Sequence, residues 1–203
     1  MKTHRHDVVQ GSPEWVALRL GRMTASCASE IGNCGKGLET LCAELAAERL
    51  TGVSSDSWRG NQDTQRGKEL EDSARIIYGW EHGKIEQVGF FSYGEFAGCS
   101  PDGLVGSDGG IEIKCPNNRK FLSVCLDGKI ESGYLWQIQM NLLITGRKWW
   151  DYVCYNPNFK NPLYVQRVVP DEKKHEALLA GIESGEKQIK EIIEKMEDGT
   201  WQK

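Results

Sequence analysis

The sequence lacks the features that mark a membrane protein or a disulfide-stabilised protein. Its 203 residues contain no apolar run of about 18 residues or more, which excludes an ordinary transmembrane helix. Residues 1–7 lead into no apolar segment of the kind found in secretory signals, so we expect a cytoplasmic protein. The seven cysteines are odd in number and form no Cys-x-x-Cys pair, which argues against a disulfide framework or a structural zinc site and predicts reduced, mostly buried thiols.

An excess of positive charge and low-complexity sequence are also missing. The chain has 25 Lys and Arg residues against 29 Asp and Glu residues, giving a formal net charge of −4. That balance argues against a protein that coats DNA by bulk electrostatic attraction, but it suits an enzyme that contacts a few phosphates locally and keeps carboxylates for metal ions. Because no repeat or linker divides the sequence, we predict one domain over residues 1–203.

Apolar periodicity places helices towards both ends of the chain and strands between them. Helical spacing predicts a short helix capped by Ser12, a second short helix capped by Thr24 or Ser26, and longer helices over 39–50, 62–79, 134–145 and 171–197. β-Branched and aromatic residues punctuated by glycine predict strands within 85–93, 96–105, 111–115, 149–155 and 163–169. This order predicts an α/β fold in which a central mixed sheet is flanked by helices.

The segment 102–114 gives the strongest indication of catalytic chemistry, because it carries two carboxylates and one amine that can act together. Asp102 is followed ten residues later by Glu112, and Lys114 stands two residues beyond. Side chains alternate between the two faces of a strand, so Glu112 and Lys114 project to the same side. A glycine-rich turn at 106–110 folds this strand back towards Asp102, and the three charged groups are therefore expected to converge.

Such a group suits metal-assisted hydrolysis of a phosphodiester. Magnesium prefers oxygen ligands, and Asp102, Glu112 and the backbone carbonyl of Ile113 would supply the protein's share. Lys114 would hold the attacking water, or help to deprotonate it, and neutralise charge on the phosphate oxygens. We expect two magnesium ions, for which manganese can substitute. The same spacing also fits a surface hairpin with a salt bridge between its strands.

Two further polar residues lie on the predicted helices either side of this segment. Glu71 follows the core-facing Leu70 and could bring a third carboxylate to the metal site, although a solvated helix charge is the alternative. Gln137 lies on the helix after the lysine strand, where it could reach a phosphate or a water, and a surface amide is the alternative.

Several short blocks occur in a fixed order along residues 12–155. They are Trp15…Leu18-Arg19-Leu20-Gly21…Thr24-Ala25-Ser26, Gly67-Lys68…Glu71, Cys99-Ser100-Pro101-Asp102-Gly103-Leu104, Glu112-Ile113-Lys114-Cys115-Pro116 and Gln137-Ile138-Gln139. In this order they resemble the lambda exonuclease family of the PD-(D/E)XK nucleases. The resemblance implies a restriction-endonuclease-like core for the α/β fold.

The resemblance also implies a role for each matching residue. Metal ligands are expected at Glu71, Asp102 and Glu112, and the catalytic lysine at Lys114. Contacts to a terminal 5′-phosphate are expected from Arg19, Ser26, Ser100 and Gln137. The chemistry of these side chains also favours the phosphate contacts. Arginine presents a planar fork suited to phosphate, and a serine at a helix start adds a hydroxyl beside free backbone N–H groups.

The activity that the resemblance implies is processive 5′→3′ digestion of one strand of linear double-stranded DNA from a 5′-phosphate end, which leaves 3′ overhangs. It further implies a homotrimeric ring around DNA, acting with a single-strand annealing protein in phage-type recombination inside a bacterial host. Two alternatives stay open: a PD-(D/E)XK endonuclease, and a catalytically inactive DNA-binding module on the same fold. An iron–sulfur nuclease is disfavoured because no cysteine follows Cys154.

The sequence departs from the family in two places. Lambda-type enzymes carry another acidic residue just before the Ser-Pro-Asp segment, where this chain offers only Glu95 as a substitute. The polar stretch at 52–61 contains Trp58 and Arg59, which are candidates for separating strands or contacting phosphate, with an oligomer contact as the alternative for Trp58.

Overall fold

The computed structural model describes residues 2–54 and 62–199, and for 62–69 it describes the backbone alone. The predictions for Trp58 and Arg59 fall outside the described residues. Within them the chain forms seven α-helices: Pro13–Arg19 (α1), Ala28–Asn33 (α2), Lys36–Thr51 (α3), Gln62–His82 (α4), Asn118–Asp127 (α5), Ser132–Thr145 (α6) and Glu172–Glu197 (α7). The strands there are Thr3–His6 (β1), Met23–Thr24 (β2), Ile85–Glu86 (β3), Phe90–Tyr93 (β4), Ala97–Cys99 (β5), Gly103–Val105 (β6), Gly109–Lys114 (β7), Trp149–Tyr155 (β8) and Leu163–Val168 (β9).

The strands divide between two mixed sheets instead of the single central sheet that the sequence predicts. The first has the order β1-β4-β5-β2, and the second has the order β3-β6-β7-β8-β9. Each sheet has one parallel pair, β2 with β5 and β7 with β8, while the other neighbours run antiparallel.

Helices cover the second sheet on both faces, as the sequence predicts for a sheet flanked by helices. On one face, Tyr78 of α4 belongs to a buried cluster with Ile111 and Ile113 of β7. On the other face, α5 and α6 share a second cluster with the alternate residues of β8, Trp150 and Tyr152. Because side chains alternate along β7, Glu112, which lies between its two isoleucines, points away from α4 and towards α6.

Helix starts agree with the sequence in two cases and differ in a third. Ser12 Oγ accepts a hydrogen bond from the Trp15 N–H at 3.2 Å, and Asp171 caps α7 in the same way. The second short helix exists, but neither Thr24 nor Ser26 caps it through a side chain. Their hydroxyls lie 3.0 Å from each other instead, because a 3₁₀ turn precedes α2 and carries them away from its free N–H groups.

Some features are absent from the sequence prediction or correct it. β1 and α5 are unpredicted: β1 reads Thr-His-Arg-His, so no apolar alternation marks it, and α5 has a single buried residue, Phe121. Three of the cysteines are buried, but Cys34 and Cys125 are exposed, so the thiols are less buried than expected. In the described part of the chain, no helix is both long enough and apolar enough to cross a membrane.

Two helical glycines form a matched pair for testing the packing of α7. A Cβ at Gly181 would overlap the backbone oxygen of Ile31 in α2, whereas a Cβ at Gly79 of α4 would meet no atom within 4 Å. We expect Gly181→Ala to lower the free energy of unfolding by about 1–3 kcal/mol, because a backbone cannot yield as a side-chain tip can. Gly79→Ala should raise it by roughly 0.4–1 kcal/mol. Urea unfolding of both variants measures this, and equal stabilities would contradict the α2–α7 contact.

Candidate active site

The hairpin of β6 and β7 brings the three predicted charged groups together. Gly103 pairs with Ile111, so Asp102 lies beside the end of β7, where its Oδ2 accepts a hydrogen bond from the Ile113 N–H at 2.7 Å. Lys114 Nζ donates to Glu112 Oε1 at 2.7 Å, from the same face of the strand. The alternative of a solvent-exposed hairpin salt bridge does not fit, because the Glu112 side chain is only 1% exposed.

Burial dominates the protonation of the two carboxyl groups. It raises the pKa of Glu112 to about 7, with the charge of Asp102 adding to the shift and Lys114 opposing it. Burial also raises the pKa of Asp102 above its ordinary value, against the effects of Lys114 and the Ile113 N–H. For Lys114, burial alone would lower the pKa, but Glu112 and Asp102 raise it above its usual range. The Lys114 amine therefore stays protonated at neutral pH, while the Glu112 carboxyl group titrates close to it.

A third carboxylate reaches the same region from α4. Burial, and then the charge of Asp102, raise the pKa of Glu71 to about 7. Arg75 follows one helical turn later, with its Nη2 3.5 Å from Glu71 Oε2 and its Nε donating to the Asp102 carbonyl at 3.0 Å. Arg75 thus joins α4 to the Asp102 segment and offsets part of the negative charge between them.

Helix α6 supplies uncharged contacts from the opposite side. Gln137 Oε1 accepts a hydrogen bond from Lys114 Nζ at 3.4 Å, and the Tyr134 ring lies 4.7 Å from the same amine. One turn beyond Gln137, Asn141 Nδ2 donates to Glu112 Oε2 at 3.2 Å. Both oxygens of Glu112 are therefore held, one by an ammonium and one by an amide.

The residues predicted to bind a 5′-phosphate are only partly brought together. Ser100 Oγ accepts hydrogen bonds from Arg19 Nη1 at 3.2 Å and from Trp15 Nε1 at 2.9 Å. The Arg19 guanidinium also lies 4.4 Å from the centre of the Trp15 ring. Ser26 borders the same cleft as Arg19, a space of about 350 Å³, without contacting Ser100. Gln137 contacts Lys114, so it lies with the carboxylates and not with this group.

Glu95 is engaged elsewhere. Its carboxylate accepts a hydrogen bond from Arg49 Nη1 at 2.8 Å and is 67% exposed. Its backbone oxygen accepts from Arg22 and Arg49. No hydrogen bond among the described residues joins it to Asp102 or Glu112.

The carboxylate oxygens suit a hard divalent cation, although they do not form a closed cage. Among the side chains described, those of residues 2–54 and 70–199, no three His, Cys, Asp or Glu groups stand close enough to bind one ion. Asp102 Oδ1 and Glu71 Oε1, however, receive no hydrogen bond from the described residues, and burial raises the pKa of both groups. Magnesium is usually held by only one or two carboxylates and completes its shell with water and substrate oxygens. The donors present therefore fit such an ion.

Residues 14–148, more than half of the chain, match the family model of the YqaJ-like viral recombinase domain. The chain belongs to this family. Its membership confirms the lambda-type resemblance that the ordered sequence blocks predict. Among curated proteins, none matches the chain significantly.

Solved structures of exonucleases share the fold. An alkaline exonuclease from Laribacter hongkongensis, LHK-Exo, is 32% identical with a TM-score of 0.86, over 94% of this chain and 99% of that one. The same enzyme in complex with dAMP gives a TM-score of 0.85, with the same identity and coverage. A phage related exonuclease from Haemophilus somnus 129PT, 17% identical, has a TM-score of 0.69 over 86% of this chain and 96% of that one, and shows the fold alone. These likenesses confirm the α/β class with a PD-(D/E)XK-like core.

Sequence reasoning misses four residues that complete the site. Arg75 stands four residues after Glu71, and Asn141 stands four residues after Gln137, so helical spacing could have placed each beside its neighbour. Tyr134 and Trp15 are harder to find: they touch Lys114 and Ser100, and no local spacing encodes contacts between residues so far apart in sequence.

The shifted carboxyl pKa predicts how stability depends on pH. Glu112 titrates near pH 4.5 in the unfolded chain and near about 7 in the fold, so the folded protein binds the extra proton between these values. In EDTA, wild-type protein should therefore lose free energy of unfolding relative to Glu112→Gln as the pH rises from 5 to 7. The lowered pKa of His6 and His175 acts in the opposite direction, but it is common to both proteins. Urea unfolding at three pH values measures the difference, and a constant difference would contradict the shift.

Proposed function

We propose that the protein is a magnesium-dependent 5′→3′ exonuclease that digests one strand of linear double-stranded DNA from a 5′-phosphorylated end. The observation that carries the proposal is the meeting of Asp102, Glu112 and Lys114 at the end of β7, beside the hydrogen-bonded pair of Arg19 and Ser100. Membership of a viral recombinase family and likeness to an alkaline exonuclease support it.

In the reaction, water forms a bond to phosphorus while the bond from phosphorus to the 3′-oxygen of the terminal nucleotide breaks, and that oxygen takes a proton from solvent to become a hydroxyl. When bound, the divalent cation polarises the phosphate and acidifies the attacking water. Asp102 and Glu112, with Glu71 and the Ile113 carbonyl, would hold it. The protonated Lys114 amine can orient the water and neutralise charge on the phosphate oxygens. Its raised pKa favours these roles over accepting a proton, so the proton of the water passes to solvent.

End recognition falls to the group around Ser100. The Arg19 guanidinium can donate two parallel hydrogen bonds to a terminal phosphate, and Ser26 borders the same cleft with a hydroxyl. Ser100, which accepts from both Arg19 and Trp15, keeps its own hydroxyl hydrogen for the phosphate. Each cleavage turns the scissile phosphate into the next terminal 5′-phosphate, so one recognition group serves every cycle and favours repeated digestion that leaves a 3′ overhang.

The acidic composition bears on how such an enzyme stays on DNA. With a net charge of −4, bulk attraction to phosphate is weak, and enclosure of the duplex by a homotrimeric ring would retain it by topology. The 3′ strand produced is the substrate that a single-strand annealing protein needs in phage-type recombination within a bacterial cytoplasm. Size-exclusion chromatography with light scattering tests the trimer independently of activity.

End chemistry and topology of the DNA test the activity. With Mg²⁺, linear duplex carrying a 5′-phosphate should be digested faster than the same duplex carrying a 5′-hydroxyl, because only the phosphate can bind the Arg19 guanidinium. Closed circular duplex should resist digestion, and EDTA should stop all cleavage, with Mn²⁺ restoring it. Equal rates on the two ends would remove the phosphate assignment.

Rapid cutting of the closed circle would instead favour a PD-(D/E)XK endonuclease. DNA binding with no cleavage of any substrate would favour an inactive binding module. The arrangement of Arg19 with Ser100 favours the exonuclease over the endonuclease, which needs no end-binding group, and the presence of Asp102, Glu112 and Lys114 argues against an inactive module.

Removing the active-site amine tests the role of Lys114. Lys114→Ala should lower the cleavage rate by at least about 10²-fold while DNA binding stays nearly unchanged, because the amine stabilises charge that develops during the reaction. Lys187→Ala, which removes an exposed lysine of α7, is the matched control and should cleave as the wild type does. An unchanged rate for Lys114→Ala would refute the assigned role.

A further inference from the structure

Helix α6 and strand β7 face each other with matching spacing. Glu112 and Lys114 are two residues apart on one face of the strand, a separation of about 6.6–6.8 Å. Gln137 and Asn141 are four residues apart on one face of the helix, a separation of about 6 Å along its axis. Each helix amide therefore meets one charged group of the strand, Gln137 with Lys114 and Asn141 with Glu112.

Asn141 is a poor residue for stability at this position. It is fully buried, and its Nδ2 makes the 3.2 Å hydrogen bond to Glu112 Oε2. Its Oδ1 is also buried and has no hydrogen-bond partner among the described residues. A buried polar atom without a partner lowers stability, since it loses its hydrogen bond to water and gains none in the protein. Packing therefore does not explain the amide.

The hydrogen bond to Glu112 explains better than packing why an amide occupies position 141. Lys114 is bonded to Glu112 Oε1, but its side chain is 24% exposed, and its amine is the group that must meet the substrate in the proposed reaction. When Lys114 turns towards a phosphate or a water, Glu112 loses its ammonium partner. Asn141 then keeps the carboxylate in place, because its buried Nδ2 has no other hydrogen-bond acceptor among the described residues.

We propose that Asn141 is a positioning residue for Glu112: its N–H holds Oε2, so that the carboxylate keeps one orientation towards the divalent cation. The inference rests on the proposed function, because it assumes that Glu112 binds that ion. Groups that hydrogen-bond a metal ligand typically change metal affinity or activity by about 10–100-fold when they are removed. Asn141 should act on cation binding and leave contact with DNA to other residues.

The same helix offers a matched control. Gln139 is also a buried amide of α6, but it bonds the Val169 carbonyl and the Asp171 N–H, each at 2.9 Å, and so joins α6 to the connection between β9 and α7. Gln139→Ala should lower the melting temperature and leave cation binding unchanged. Asn141→Ala should instead weaken Mn²⁺ binding to the DNA-free protein by about 10–100-fold in calorimetry. Asn141→Leu, which keeps more volume, serves if the alanine variant unfolds.

A second readout separates positioning from general damage. The Mg²⁺ concentration for half-maximal cleavage should rise by the same factor in Asn141→Ala, while the rate at saturating Mg²⁺ largely recovers. Mn²⁺ affinity within twofold of the wild type would overturn the proposal, and so would equal weakening by Gln139→Ala. If the wild-type protein bound no Mn²⁺, the proposed metal-dependent function itself would be contradicted. This result is distinguishable from a failure of the Asn141 proposal, because it is seen in the wild-type protein alone.

Discussion

The ammonium group of Lys114 is what allows two carboxylates to be buried side by side. An ionised carboxylate out of water is strongly destabilising unless a cation and hydrogen bonds compensate it. Here one amine is bonded to Glu112 and influences Asp102, while Arg75 plays the same part between Asp102 and Glu71. Arg75 also pairs with Asp72, so the two cations do not balance the charge of the three carboxylates, and a divalent ion would compensate what remains. Burial raises the pKa of these carboxyl groups because it disfavours an uncompensated charge, and for the same reason it would favour a bound cation.

The sequence predicts those features of the site that follow from the regular alternation of side chains along a strand. Side chains alternate along every strand, so the common direction of Glu112 and Lys114 follows from their spacing alone. The turn after β6 is marked by glycine, which brings Asp102 back to them. The ordered blocks then identify the family, because several matches in one order are far more specific than the short acidic motif.

What the sequence does not predict depends on distant or weakly patterned contacts. The division of the strands into two sheets follows from pairings such as β2 with β5, which join segments more than 70 residues apart and leave no periodic trace. β1 is polar throughout and shows no alternation. The hydrogen bond from Trp15 to Ser100 is equally distant. In these cases, packing between separate elements decides the structure, and local pattern carries little information.

Chain connectivity links the two halves of the site. Ser100, which accepts from Arg19, stands only two residues before Asp102, so one short segment carries both the proposed phosphate contact and a proposed metal ligand. Arg75 holds the Asp102 carbonyl and thereby fixes this segment against α4. A displacement of the segment would move the Ser100 hydroxyl and the Asp102 carboxylate together. In the proposed reaction, this short covalent connection would fix the distance between the bound 5′ end of the strand and the bond to be cut.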